Sequence, residues 1–167
     1  MIISNASPLI YLAKIKKLDL LKSLFKEIII PKEVFDEVVT KGKEEKFLEV
    51  FHIDNAIKSG WIKIKEIEIN KELEKLSAEI DMGENSVINL ARKLNANLLL
   101  IDDASARTIA ESLGFNVKGT LYVILKAYKR KFIEKNEAKQ ILNKLIFEGF
   151  RISQEIYIQF IEELEKT

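Results

Sequence analysis

The chain contains no cysteine, one histidine and two prolines among its 167 residues. Without cysteine it has no disulfide framework, no thiolate metal site and no cysteine nucleophile, and one histidine excludes the usual sites built from several histidines. The formal net charge is +1, so no overall field draws the chain to nucleic acid or to a membrane surface. Its chemistry must therefore depend on carboxylates, hydroxyls or lysines.

Long apolar runs are also absent, because no segment reaches the roughly 18 uninterrupted apolar residues of a membrane span. The N-terminus lacks the basic region and the following apolar stretch of a secretory signal. We therefore expect a cytoplasmic protein that makes no membrane contact. Lysine and glutamate dominate the charged residues and isoleucine is abundant, which is a thermophile-like composition.

What is present is an alternation of short β-branched runs with longer helical patterns, which is typical of crossover units around a mainly parallel sheet. The apolar runs predict strands at 2–3, 28–30, 61–69, 98–101 and 115–117. The helical patterns predict helices at 8–13, with Ser7 as N-cap, and at 18–24, 33–39, 43–59, 72–80, 84–94, 104–113, 120–127, 135–147 and 154–166. A chain of this length buries one core, so we expect a single domain over 1–167, with its core over about 1–130 and a C-terminal helical extension over about 131–167.

Polar side chains collect where the predicted strands end. Asn5 follows the first strand, Glu37 lies on the helix after the second, and Asp102 and Asp103 follow the fourth. Glu84 joins them from the helix before the fourth strand. Ligands of open parallel sheets bind at this carboxyl edge, and a group of carboxylates there suits Mg²⁺ or Mn²⁺. Such a site can support phosphodiester hydrolysis without cysteine or histidine.

Two of these acids also have structural interpretations on their helices. At about 100° per residue, Glu84 lies on the apolar face of its helix, yet Asp81 and Glu84 also have the spacing of a capping box. Asp36 and Glu37 flank the apolar stripe of their helix about equally, so helical periodicity leaves open which of the two faces inward.

The adjacent pair Asp102 and Asp103 has a structural interpretation as well. One of the two is expected to cap the helix that follows, and Asp103 is also spaced to pair with Arg107. Because a cap needs only one carboxylate, the second acid favours a metal site.

Four segments resemble the PIN domain, in particular its branch of VapC-like toxins and related predicted nucleic-acid-binding proteins. They read ISNASPL at 3–9, IPKEVFDEV at 30–38, GENSVINLA at 83–91 and LLIDD at 99–103, and shorter similarities follow at 119–121 and 149–153. The resemblance covers essentially the whole chain and is carried by the order and spacing of the segments. It implies a three-layer α/β/α fold with a central, mainly parallel sheet of about five strands plus C-terminal helices, and a metal-dependent ribonuclease.

The resemblance also implies roles for individual residues. Glu37 and Glu84 match the second and third acids of the family site, and the fourth falls on Asp102 and Asp103, with Asp103 as the main ligand. The first family acid, usually an aspartate, is replaced by Asn5, whose carbonyl can ligate a cation but carries no charge. The implied Mg²⁺ or Mn²⁺ ligands are Asn5, Glu37, Glu84, Asp102 and Asp103, and the four acids among them are the implied catalytic residues.

An RNA substrate also needs a basic surface, and the densest basic cluster comprises Lys126, Lys129, Arg130 and Lys131. An ordinary helix end, where positive charge complements the helix dipole, is the alternative interpretation of this cluster. Lys14, Lys16 and Lys17 form a second candidate. By analogy with the family, the expected partners are RNA, a small antitoxin protein and a second copy of the chain.

The leading hypothesis is a Mg²⁺- or Mn²⁺-dependent PIN endoribonuclease, the toxin of a toxin–antitoxin pair, with weakened activity because of Asn5. The alternative is a catalytically silent PIN-like module that binds nucleic acid or a protein partner. A phosphoacceptor receiver domain is disfavoured, since its acidic pair should follow the first strand. We expect His52 on a solvated helix without a role, and Trp61 as a packing residue or an oligomer contact.

Overall fold

A computed structural model describes residues 1–68 and 80–166 of the chain. The strands are β1 (Ile2–Ser4), β2 (Ile28–Pro31), β3 (Ile62–Lys65), β4 (Leu98–Leu100) and β5 (Val117–Lys118). The helices are α1 (Ala6–Lys14), α2 (Asp19–Phe25), α3 (Lys32–Phe35), α4 (Gly42–Glu44), α5 (Val50–Lys58), α6 (Met82–Leu94), α7 (Ala104–Ser112), α8 (Thr120–Lys129), α9 (Lys135–Phe147) and α10 (Gln154–Glu165). A π-helical segment, Asp36–Lys41, joins α3 to α4.

The five strands form one sheet in the order β3-β2-β1-β4-β5, and every neighbouring pair is parallel. β1 lies at the centre, where Ile3 is opposite Ile29 of β2 and Leu99 of β4. Strand order reverses between β1 and β4, which is where open α/β sheets bind their ligands. The predicted three-layer α/β/α fold with a parallel sheet of about five strands is therefore confirmed.

Burial of the strands explains why the sheet forms. All residues of β2 and β4 are buried, so both strands are continuous apolar runs covered on two faces. α6 packs on β1 and β2 and contacts α3 and α7, whereas α8 packs against α1, α2, α9 and α10. Trp61 is buried in this core, as its packing interpretation predicted. Among the described residues, no helix is long and apolar enough to cross a bilayer.

Two predicted element boundaries were wrong in ways that affect the site. Ser7 was the predicted N-cap of the first helix, but α1 begins at Ala6 and Asn5 is in the N-cap position. The Ser7 hydroxyl donates to Asp102 instead. The helix predicted at 43–59 is interrupted between α4 and α5. Lys46 has a φ of 59° there, and a left-handed residue cannot continue a right-handed helix.

The helix predicted at 33–39 is also only partly α-helical, because α3 passes into the π-helical segment at Asp36. The other predictions agree with the structure to within a few residues, apart from those that fall in the undescribed segment. β3 is shorter than the predicted strand at 61–69, the last residue of which lies outside the described residues. The helix predicted at 72–80 also lies outside them, except for Ile80, which is not helical. Ser153 caps α10 as expected, since its hydroxyl accepts a hydrogen bond from the Ile156 N–H.

The buried position of β4 predicts a large cost for truncating its central side chains. Leu100 is 0% exposed, and Leu100→Ala should lower the free energy of unfolding by roughly 2–5 kcal/mol through lost burial and an unfilled cavity. Leu113→Ala, at a leucine that is 41% exposed, is the matched control and should cost less than about 0.5 kcal/mol. Urea denaturation measures both, and equal costs would contradict the buried position of β4.

Candidate active site at the carboxyl edge of the sheet

The parallel pairing of β1 with β4 brings the candidate residues to one edge. The Asn5 N–H donates to the Leu100 carbonyl at 2.9 Å, so the two strands end together. Asp102 follows β4 by two residues, and Glu37 follows β2 on the π-helical segment. Glu84 reaches the same edge from the first turn of α6. The carboxyl edge therefore holds the candidates that the sequence placed on separate segments.

Three of the oxygens at this edge converge on the backbone of Gly83. A Cβ atom at Gly83 would lie 3.1 Å from Glu37 Oε2, 3.4 Å from Asp81 Oδ1 and 3.6 Å from Asn5 Oδ1. Because glycine has no side chain, the first turn of α6 leaves room for all three oxygens. The sequence singled out Asp81 only as a helix cap, so its position beside Asn5 and Glu37 is a finding of the structure.

Asn5 is almost completely buried, with 5% of its surface exposed. Its Oδ1 atom is buried and accepts no hydrogen bond from any described residue. Leaving a buried amide oxygen unpaired costs roughly 1–3 kcal/mol, so such an atom calls for an explanation. A cation ligated by this oxygen would supply one.

The structure separates Asp36 from Glu37, which periodicity could not do. Asp36 forms an ion pair with Lys32 at 2.7 Å, whereas Glu37 Oε2 approaches Gly83. Glu37 is an exposed residue, although its Oε2 lies near Gly83. Partial burial of its carboxyl group and the nearby charge of Asp81 raise the pKa of Glu37, and Lys41 partly opposes them.

Glu84 has both of the roles that the sequence suggested for it. Its side chain is 7% exposed on the inner face of α6, and the capping box with Asp81 is complete. The Asp81 side chain accepts from the Glu84 N–H at 2.8 Å, and Glu84 Oε2 accepts from the Asp81 N–H at 3.2 Å. Burial, reinforced by the charges of Asp81, Asp103 and Glu37, raises the pKa of Glu84 to about 7, although the Asp81 N–H bond opposes the shift.

Asp102 is engaged in hydrogen bonds within the protein. Its Oδ1 accepts from the Thr120 N–H at 2.7 Å, and its Oδ2 accepts from the Thr120 hydroxyl at 2.7 Å and from the Ser7 hydroxyl at 3.2 Å. Burial raises the pKa of Asp102, while these bonds and the Arg107 guanidinium lower it. The side chain thus fastens the starts of α1 and α8 to the end of β4.

Asp103, unlike Asp102, is exposed to solvent. Its Oδ1 caps α7 by accepting from the Ala106 N–H at 2.9 Å, as one of the two adjacent acids was expected to do. The spacing also suggested an ion pair with Arg107, but the described residues include no such pair. Asp103 contributes to the charge that raises the pKa of Glu84, so it lies within electrostatic range of the site.

The predicted basic cluster does not border these acids. α8 begins at Thr120, which donates hydrogen bonds to Asp102, and its 10 residues span about 15 Å, so Lys129 and Arg130 lie at the opposite end of the helix. Lys129 pairs with Glu163 at 3.0 Å, and Lys126 donates to the Tyr122 hydroxyl at 3.1 Å. Arg130 and Lys131 are exposed beyond the helix end.

The cations beside the acids come from other elements. Lys41, at the end of the π-helical segment, lines one surface hollow with Glu37, Asp81 and Gly83. Lys14 of the second predicted basic cluster lines the adjoining hollow, together with Glu37 and Lys41. Lys41 was not predicted as a site residue, since nothing in its local sequence distinguishes it from the other lysines.

The donor set at Gly83 fits a hard divalent cation. Within residues 1–68 and 80–166, no group of three or more His, Cys, Asp or Glu side chains forms a ready-made metal site. At Gly83, however, two carboxylate oxygens are joined by the unpaired amide oxygen of Asn5. Mg²⁺ and Mn²⁺ prefer such oxygen ligands and retain some of their water. The residues present therefore fit this type of ion.

A family model described as a PIN domain matches residues 1–166. The chain therefore belongs to the PIN domain family. The family has a nuclease-type fold associated with nucleic acids, and its members generally use divalent metals. No curated protein and no solved structure matches the chain significantly.

The raised pKa of Glu84 predicts a specific pH dependence of stability. Between pH 4.5 and about 7, the folded protein holds a proton on Glu84 that the unfolded chain releases, so stability falls as pH rises through this window. Glu84→Gln keeps an acceptor for the capping box and removes the titration. Its free energy of unfolding relative to the unsubstituted protein should therefore increase from pH 4 to pH 8, by up to about 3 kcal/mol.

Chemical denaturation across this pH range measures the difference. Glu111→Gln, at an exposed glutamate of α7, is the matched control and should show no such trend. A Glu84→Gln profile parallel to that of the unsubstituted protein would contradict the burial of an ionisable group here.

Proposed function

We propose that this protein is a divalent-metal-dependent endoribonuclease of the PIN type, with Mg²⁺ or Mn²⁺ bound at the carboxyl edge of the sheet. The observation that carries the proposal is the convergence of Asn5 Oδ1, Glu37 Oε2 and Asp81 Oδ1 on Gly83, beside the buried carboxylate of Glu84. Membership of a family with a nuclease-type fold supports the same conclusion.

The proposed roles follow from the environment of each side chain. Asn5, Glu37, Glu84 and Asp103 would hold the ion, and a bound divalent cation would polarise the phosphoryl oxygen and lower the pKa of water. Burial raises the pKa of the Glu84 carboxyl to about 7 when no ion is bound, so binding of an ion there would displace a proton near neutral pH. Lys41 lines the same hollow and can neutralise a phosphate of the substrate.

For Asp102 we propose a positioning role, although the sequence placed it among the ligands. Both of its oxygens already accept hydrogen bonds, and exchanging these bonds for bonds to an ion would release Thr120 and Ser7. Ser7 lies two residues after Asn5 in the same helix, so Asp102 helps to fix the helix start that carries Asn5.

A catalytically silent module is the second candidate function, and it is favoured by the neutral Asn5 and by exposed apolar side chains. Leu48, Phe51 and Phe147 are 88%, 67% and 89% exposed, which suits contact with a protein partner such as the antitoxin expected by analogy or a second copy of the chain. This candidate predicts binding of RNA or protein without turnover of RNA at saturating metal.

A cleavage assay separates the two candidates. With Mn²⁺ and a mixed-sequence RNA, the protein should produce fragments that metal chelation abolishes. Combined replacement of Glu37, Glu84 and Asp103 by the corresponding amides should reduce the rate by at least about 100-fold, because it removes the charges that hold the ion. A triple variant with Glu44, Glu111 and Glu155 changed to glutamine removes the same charge from exposed positions. Equal cleavage by both triple variants would contradict the proposal.

Asn5→Asp should strengthen the site by restoring a charge at the end of β1. We expect tighter Mn²⁺ binding and faster RNA cleavage than in the unsubstituted protein, because a carboxylate ligates and neutralises the ion better than an amide does. Calorimetric titration with Mn²⁺ measures the first effect and a single-turnover assay measures the second. An unchanged affinity and rate would remove Asn5 from the proposed ligand set.

A further inference from the structure

We propose that Asp81 is an additional ligand of the divalent ion and supplies the negative charge that Asn5 lacks. This inference rests on the proposed function, because it concerns the same ion. Asp81 was not among the predicted site residues, and its established role in the fold is that of N-cap of α6.

The geometry puts Asp81 in the position to compensate for Asn5. Asp81 Oδ1 and Asn5 Oδ1 lie 3.4 Å and 3.6 Å from the same point, the position that a Gly83 Cβ would occupy, and Glu37 Oε2 lies 3.1 Å from it. The amide and the two carboxylates therefore reach the site from three different elements: the end of β1, the N-cap of α6 and the π-helical segment.

The buried amide indicates that this group of oxygens is built for a ligand. Asn5 is 5% exposed, and its Oδ1 accepts no hydrogen bond from a described residue, although it lies near Gly83 as the two carboxylate oxygens do. Partly negative oxygens gathered near one point repel, and a cation bound among them would replace that repulsion with attraction.

The local charges are consistent with this interpretation. Asp81 raises the pKa of both Glu37 and Glu84, so its carboxylate acts on both proposed ligands. Lys41 is the lysine that lines the same hollow, and it only partly offsets the shift at Glu37. The site therefore carries an excess of negative charge that a divalent cation would neutralise.

Helix capping alone does not require a charged residue at this position, because asparagine is as good an N-cap as aspartate. Oδ1, the Asp81 oxygen near Gly83, already accepts the capping bond, and a carboxylate oxygen has a second lone pair for a cation. Asp81→Asn therefore preserves the acceptor for the Glu84 N–H and removes the charge. This substitution separates the proposed ligand role from the role in the fold.

The test is a Mn²⁺ titration of four proteins by calorimetry, supported by the electron paramagnetic resonance of free Mn²⁺. Asp81→Asn should bind Mn²⁺ at least about tenfold more weakly than the unsubstituted protein, while its melting temperature without metal is unchanged or higher. Asp19→Asn removes a carboxylate from the first turn of α2 and should leave the affinity unchanged. The double variant Asn5→Asp with Asp81→Asn should recover an affinity close to that of the unsubstituted protein.

The outcomes distinguish this inference from the proposed function. Mn²⁺ binding that is equally tight in Asp81→Asn and in the unsubstituted protein would overturn the inference and leave the proposed site intact. A double variant that binds no better than Asp81→Asn alone would also overturn it, since charge at Asn5 would then not replace charge at Asp81. If the unsubstituted protein binds no Mn²⁺, the proposed function fails and the inference fails with it.

Discussion

The parallel pairing of β1 with β4 is the interaction on which the rest of the structure depends. These two strands lie on either side of the point where strand order reverses, and the Asn5 N–H extends their ladder to the Leu100 carbonyl. Because of this pairing, residues that are almost 100 positions apart in the sequence lie next to one another at one edge of the sheet. Asp102 also accepts hydrogen bonds from Ser7 and Thr120, and these bonds hold the first turns of α1 and α8 against the end of β4.

The edge formed in this way concentrates negative charge that the whole chain does not show. A formal net charge of +1 conceals a cluster in which Asp81, Glu37 and Asp103 all raise the pKa of Glu84. Several hydrogen bonds reduce the cost of placing carboxylates there, above all the reciprocal capping box of α6. These capping bonds also orient Asp81 and Glu84, so the same two side chains cap α6 and belong to the candidate site.

Much of the fold and part of the site could be predicted from the sequence, because some physical signals are local. The apolar run that forms β4 and the inward position of Glu84 both follow from periodicity over a few residues. Periodicity did not decide between Asp36 and Glu37, since the segment that carries them is π-helical and ordinary helical spacing does not apply to it; only the family resemblance favoured Glu37. The hydrogen bonds between Asp102 and Thr120 were also not predicted, because Thr120 lies 18 residues further along the chain.

By itself, the sequence determined the fold class, the absence of cysteine chemistry, the burial of Glu84 and the neutral residue at the end of β1. Each of these depends on residue identity or on periodicity within one element. Only the tertiary structure decided that Asp81 lies beside Asn5 and Glu37, and that the cluster around Lys129 lies far from the acids. The physical reason is that strand pairing and helix packing set distances between segments, and no local pattern encodes those distances.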